Sequence, residues 1–301
     1  MNRLSDPTSG GALDQALATL NQMSRSLLTA GVGGADQNDP ALLIAAQQAG
    51  QLPPPLQGWV AALAGQSRAL VADGAGDALR SRERQAAGQD CALFVRGRFP
   101  FVAQAAAEIP LRDFAELFAP GGRLDRFFQQ SIADKADTGT RNWRWNEATP
   151  QVGADDVLQR AQLAARIQQM FFAGGAQPRV DFEVVLPAQS GVGRLLLEVD
   201  GQRVETQAGA AASQSMRWPG PQPGMARLSA WDIAGRPLPP VEYRGAWAWF
   251  RLLQAGALRP TGDMRYAAQY PSGQGEVRLE LRPASLRHPF ADTTLQQFRC
   301  P

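Results

Sequence analysis

At Gly174-Gly175 the apolar residues of this chain change their period. Before that point they recur every three or four positions, the spacing that lines one face of a helix. After it they alternate residue by residue, the spacing that gives a strand one buried and one solvated face. A helical stripe needs another element to cover it, and an alternating strand needs a facing layer. The expected fold class is therefore α+β: an N-terminal all-α helical domain over residues 1–175, then a C-terminal antiparallel β-sandwich over residues 176–301 with one inserted helix. A length of 301 residues exceeds the usual domain of roughly 100 to 200 and agrees with two domains.

The helical half opens with Leu13, Leu17, Leu20, Leu27 and Leu28 on one face. A turn-rich stretch, 31–40, leads to a helical run at 41–44, and Leu52-Pro53-Pro54-Pro55 stops it. A longer helix follows, with Trp59, Leu63, Leu70 and Leu79 expected near its apolar face, weakened towards its end by Gly74 and Gly76. Pro110 before Leu111-Arg112-Asp113-Phe114 marks another helix start, with an early acid at the positive end of the dipole. Pro120-Gly121-Gly122 breaks the chain before a helix carrying Leu124, Phe127, Phe128 and Ile132. The last of the series is expected over 154–172.

Roughly seven strands are expected, at 180–186, 194–200, 202–207, 213–218, 226–232, 264–270 and 277–281. Asp200-Gly201 between the second and third is a hairpin signal, because a type I′ turn needs two residues that tolerate positive φ. A helix at 247–253 interrupts the strands, and its Trp247, Phe250 and Leu253 are expected to plug one side of the sandwich.

The charged groups exclude more than they suggest. Thirty basic against 28 acidic residues leave a net charge of +2 with no basic cluster, which argues against a nucleic-acid partner. No run reaches the roughly 18 apolar residues of a membrane span, and no signal-peptide core follows Met1. His288 is the sole histidine, so a triad or a two-histidine metal site would have to be built around it alone. Asp155-Asp156 and the Asp134/Asp137 pair read as capping or solvated acids, and Gly191-Val192-Gly193 precedes a strand where a dinucleotide fingerprint needs a helix. Trp143-Arg144-Trp145 places two rings on one face of an extended segment, expected to close the helical core or the domain junction, and Trp231 is open between core and interface. Cys91 and Cys300 allow at most one intramolecular bridge and lie too far apart for a compact zinc knuckle. The expectation is no catalytic, cofactor-binding or metal-binding residue, no cofactor and no small-molecule substrate.

Longer signatures carry a resemblance. Arg96-Gly97-Arg98-Phe99-Pro100-Phe101, the segment 109–128, Trp143-Arg144-Trp145, Trp218-Pro219-Gly220-Pro221, the segment 245–253 and the closing Phe298-Arg299-Cys300-Pro301 together resemble the TssM, or IcmF-related, family of type VI secretion inner-membrane core proteins. The likeness runs from about residue 90 onward; before it only the helical character matches. Phe99 stands where the family pattern would have Tyr, and His288 where Asn is more usual.

The resemblance implies a C-terminal periplasmic fragment of a longer inner-membrane protein, with Met1 supplied by cloning. It also implies a non-enzymatic scaffold that binds the outer-membrane lipoprotein TssJ and, in the full assembly, joins TssL and further TssM copies to span the envelope. The lipoprotein contact is expected within the β domain, 176–290. Periplasmic placement would let Cys91 and Cys300 pair, tying the C-terminal tail to the helical half. The reading from another class is a periplasmic carbohydrate- or peptidoglycan-binding module, which a row of exposed coplanar Trp or Tyr on one sheet face would favour. A hydrolase would need His288 in a cleft beside an acid and a Ser, Cys or Thr.

Overall fold

The computed structural model describes residues 54–146, 154–207, 210–272 and 275–301, with five further helical positions at 17, 18, 21, 24 and 25. Most of the helix expected around Leu13–Leu28, and all of that at 41–44, lie outside the described residues. The chain forms two compact units, residues 1–85 with 129–159 and residues 86–128 with 160–301.

The first unit is built on helix α1 (Pro54–Glu83). Its expected apolar face is only partly real: Leu79 is buried, but Trp59 is 73% exposed and Leu63 41%. Spacing alone placed those two side chains inward, and nothing described packs over them. A short ribbon, β1 (Ala136–Asp137) with β2 (Arg144–Trp145), was not expected in the helical half. Asp137 accepts a hydrogen bond from the Gly139 backbone N–H (2.9 Å) inside its turn.

A π-helical turn, Arg84–Gly88, carries the chain from the first unit into α2 (Gln89–Val95) of the second. Helices α3 (Leu111–Phe118), α4 (Arg123–Ser131) and α5 (Asp155–Phe171) follow, with the first residues of α5 and the last of α4 in the first unit. Pro110 occupies the N-cap of α3 in extended conformation, where its missing N–H costs nothing. The strands then begin: β3 (Val180–Leu186), β4 (Val192–Val199), β5 (Gln202–Gln207), β6 (Ala212–Trp218), β7 (Met225–Asp232) and β8 (Val241–Arg244). Helix α6 (Ala248–Ala255) precedes β9 (Arg259–Gly262), β10 (Arg265–Ser272) and β11 (Gly275–Pro283), and α7 (Thr294–Gln297) closes the order.

Two antiparallel sheets result, β6-β3-β11-β10-β9 and β5-β4-β7-β8. The alternation read from the sequence is their inside and outside. Val180, Phe182, Val184 and Leu186 on β3 share one core with Leu195, Leu197 and Val199 on β4. Asp200 (φ 49°) and Gly201 (φ 80°) make the β4–β5 hairpin with the positive φ angles expected of it. Helix α6 connects β8, an edge of one sheet, to β9, an edge of the other. It buries Trp249, Leu252 and Leu253, so it does plug the open side.

Nine strands lie in these sheets, two more than expected, because β8 and β9 have no alternating signature. Each has four residues; β8 follows Pro239-Pro240, and β9 contains Pro260 and is exposed throughout. The change of secondary structure falls near residue 175, as the period implied. Compact packing divides the chain elsewhere, since 86–128 and 160–175 belong with the strands. Phe114 of α3 meets Phe171 at 5.2 Å and Trp247 at 5.1 Å between ring centroids, and Trp247 meets Trp218 at 4.8 Å. Helices and sheets of this unit thus share one aromatic core.

Candidate interaction surface

Apart from Trp143-Arg144-Trp145, which lies in the first unit, the segments that carried the family resemblance meet in that core. Phe99, Phe101, Phe114, Phe118, Trp218, Trp247 and Phe298 are each at most 4% exposed. Glu108 joins two of the segments. Its Oε1 accepts from Arg251 Nε (2.6 Å) and its Oε2 from the Trp247 backbone N–H (3.2 Å), while Arg251 also donates to the carbonyls of Ala105 and Ala106 and stacks over the Phe99 ring at 4.1 Å. The Trp247 indole N–H donates to the Ile109 carbonyl (2.8 Å). Gly245 (φ 114°) takes a backbone conformation that side chains rarely adopt, with the Glu108 carboxylate close against it. These motif residues are packing determinants, each held by its neighbours.

The other candidates resolve one by one. Cys91, in α2, and Cys300 form a disulfide with Cα atoms 5.6 Å apart. Beside it Phe298 packs against Phe118 at 5.0 Å and Phe101 at 6.1 Å. His288 Nδ1 accepts from the Phe290 backbone N–H (3.3 Å), which leaves the proton on Nε2, facing Tyr266 Oη at 3.2 Å. Burial holds this histidine below its usual pKa, partly offset by the Asp292 carboxylate. Phe290 and Tyr266 flank its ring, an arrangement that packs a neutral imidazole.

Asp155 accepts from the Trp145 indole N–H (3.1 Å) and Asp156 pairs with Arg80 (3.2 Å), both in the first turn of α5. Gly193 lies in a bulge of β4 where a Cβ would stand 2.5 Å from the Asp232 carbonyl, so it serves close backbone approach. Among the described residues no group of three or more His, Cys, Asp or Glu is placed to hold a metal ion. Trp218, Trp247 and Trp249 are all buried, so they cannot form a platform for a sugar. A shallow groove of about 450 Å³ crosses the outer face of the five-stranded sheet, lined by Asp181, Glu183, Arg217 and Arg282. Most of its charge is internally matched, Arg282 by Glu183 (3.1 Å) and Asp181 by Arg179 (2.8 Å).

What the strand-rich part offers outward is therefore edges and loops. Two edges are sealed by glutamine amides that imitate a neighbouring strand. Gln202 accepts from the Arg217 N–H (3.0 Å) and donates to the Arg217 carbonyl (2.7 Å) on β6. Gln189 does the same at Arg278, beyond the point where β3 leaves β11 (2.5 and 2.8 Å). Asp200 is 1% exposed and receives the N–H groups of Gly220, Gly224 and Met225, fixing the 219–224 loop; burial raises its pKa against those bonds.

The loop after β7 is shaped from within and open outside. Asp232 accepts from the N–H groups of Ala234 and Arg236 (both 2.9 Å) and from Arg236 Nε (2.8 Å), and these bonds hold its carboxyl below the ordinary range. Between them stands Ile233, 82% exposed. Arg194 lies over the half-buried ring of Trp231 at 4.3 Å, which answers the question left open for that tryptophan: it is a base for the loop, half in the core. The strand expected at 226–232 stops one residue short of Ile233, and its spacing gave no reason to single that residue out.

Residues 182–285 match the type VI secretion protein IcmF C2-like domain family. A curated relative, the type VI secretion system component TssM1 of Pseudomonas aeruginosa, is 31% identical over 211 residues, covering 68% of this chain and 19% of its own length. The chain thus spans about a fifth of that relative. Among solved structures, the TssM C-terminal domain from EAEC superposes with a TM-score of 0.65 at 20% identity, covering 75% of this chain and 97% of that one. A chain of a type VI secretion system membrane core complex gives 0.71 at 20% identity, covering 95% and 60% respectively. Those likenesses establish the fold. No helix among the described residues is long and apolar enough to cross a membrane. With the IcmF C2-like domain over 182–285 and the identity to TssM1 taken together, this chain is a homologue of the type VI secretion protein TssM.

Proposed function

We propose that the chain is the periplasmic, C-terminal region of a type VI secretion inner-membrane protein, a non-enzymatic scaffold whose strand-rich part binds the outer-membrane lipoprotein TssJ. In the full assembly it joins TssL and further copies of itself to span the envelope. The identity to TssM1 carries this reading. Two features of the molecule support it. The disulfide between Cys91 and Cys300 suits an oxidising compartment. Most of the motif segments pack into one aromatic core, which suits a structural part.

The test is calorimetric titration of the whole chain with the soluble form of the lipoprotein from the same secretion cluster. A Kd in the micromolar range or tighter, with one-to-one stoichiometry, is the expected result. No heat and no comigration by size exclusion, with both proteins folded, would overturn the lipoprotein reading.

A further inference from the structure

Residues 284–301 form a strap whose two halves are held unequally. The strap leaves β11 where the Ala284 N–H donates to the Asp181 carbonyl (3.1 Å), and its near half is fixed by Phe290. That ring is buried, 5.5 Å from Phe182 of β3 and 6.1 Å from Phe250 of α6. The chain then turns at 289–292, where the Asp292 N–H donates to the Pro289 carbonyl (3.3 Å) and Ala291 takes a φ of 56°. Beyond the turn, 294–301 crosses to the helical side of the same unit and reaches α2 through Cys300.

This far half has little hold of its own. Helix α7 has four residues, too few to persist alone. The backbone N–H groups of Gln297 and Phe298 bond to Thr293 and Thr294, and Arg299 donates to the carbonyls of Gln296 and Phe298, all within the strap. Among the described residues, one hydrogen bond joins the far half to the body, from the Gln296 amide to the Pro100 carbonyl (3.1 Å). Its buried apolar side chains are Leu295 and Phe298, the latter against Phe101 and Phe118. Two apolar anchors and one such bond stand against the backbone entropy of the whole segment. The remaining tie is the bond between Cys91 and Cys300. Cys91 is fully buried, so a protein-sized oxidant reaches it only while the far half is off its seat.

We propose that 294–301 is a redox-set strap, which seats against Phe101 and Phe118 once Cys91 and Cys300 have been joined by a protein disulfide donor of the thiol–disulfide oxidoreductase class. The Cys300 thiolate attacks the donor's disulfide, forming a mixed disulfide and freeing one donor thiol; the Cys91 thiolate then attacks the Cys300 sulfur and displaces the other. Two electrons and the two cysteine protons pass to the donor, which leaves as a dithiol. Such donors belong to oxidising compartments, so the inference deepens the periplasmic reading above. Its test needs neither lipoprotein nor membrane, and its failure leaves that reading standing.

The test is hydrogen exchange read by mass spectrometry on the whole chain in three states: oxidised, reduced by a phosphine in urea and returned to buffer, and then reoxidised with oxidised glutathione. In the reduced chain the amides of Gln297 and Phe298 should exchange at least about tenfold faster, with the amides of β3 and β11 within about twofold of the oxidised form. Reoxidation should restore the protection and release both glutathione thiols. The chain carrying Cys91→Ser with Cys300→Ser, which needs no reductant, should behave like the reduced one. Unchanged exchange at Gln297 and Phe298 would show that the seat holds without the bridge and would overturn the proposal. An equal rise in β3 and β11 would overturn it too, since the bridge would then hold the whole unit, and so would a failure to regain protection on reoxidation.

Discussion

Glu108→Ala tests whether the 96–110 loop and helix α6 form one body with the sheets. The carboxylate and Arg251 are 15% and 16% exposed, and one substitution removes the 2.6 Å pair and the acceptor for the Trp247 N–H together. Breaking a fully buried pair from one side costs about 3 to 5 kcal/mol. Here Arg251 keeps two carbonyls and the Phe99 ring, so about 2 to 3 kcal/mol is expected. The assay is urea unfolding followed by tryptophan fluorescence, since Trp218, Trp247 and Trp249 are fully buried near the pair. With a denaturant slope of about 3 kcal/mol per molar, the midpoint should fall by roughly 0.7 to 1 M. Arg251→Met alone should cost a similar amount, and the double variant should cost at least about 1 kcal/mol less than the sum. Additive losses, or a loss below about 0.5 kcal/mol for Glu108→Ala, would refute the idea that this pair welds loop to helix.

The disulfide is expected to protect both thiols from alkylation until a reductant is added, and two modified cysteines without reductant would contradict it. Its removal by Cys91→Ser with Cys300→Ser should cost at most about 5 kcal/mol on the chain-entropy argument for a 209-residue separation, read as a lowered Tm. His288 has a folded-state pKa below its usual 6.5, so its contribution to stability is fully present above that pH and is lost as pH falls through the depressed value. His288→Gln should therefore flatten the acid limb of a stability–pH curve below about pH 6.5; an unchanged limb would assign it to other groups. A fragment cut at residue 176 should bind a hydrophobic dye and unfold without cooperativity, because it strips Phe114 and Phe171 from Trp218 and Trp247. Cooperative unfolding of that fragment would show that the sheets hold their core alone.

Local pattern was read correctly where local physics decides. The ends of β3 and β5 fall where alternation begins and stops, Asp200-Gly201 turns as a pair that tolerates positive φ, and α5 runs from its two early acids to Phe171. Two short edge strands escaped, because β8 gains order from β7 and α6, and β9 from β10, not from their own residues. Trp59 and Leu63 follow helical spacing yet stand outside, since periodicity names a face without naming what covers it. The compact units cut across the period change because ring contacts between Phe114, Phe171 and Trp247 join residues far apart in sequence. Ile233 was invisible for the same reason. An isoleucine beside a turn reads as an ordinary strand end, and only the Asp232 bonds show that it is held outward.

The sulfur bridge has a mechanical meaning. Tension entering the second unit at α2 and leaving at Cys300 crosses two sulfur atoms, bypassing the chain between positions 91 and 300. Neither sheet lies in series with such a load, so strand pairs would not unzip under it. Reduced, the same pull would run through every strand in turn, and the sheets would become the spring.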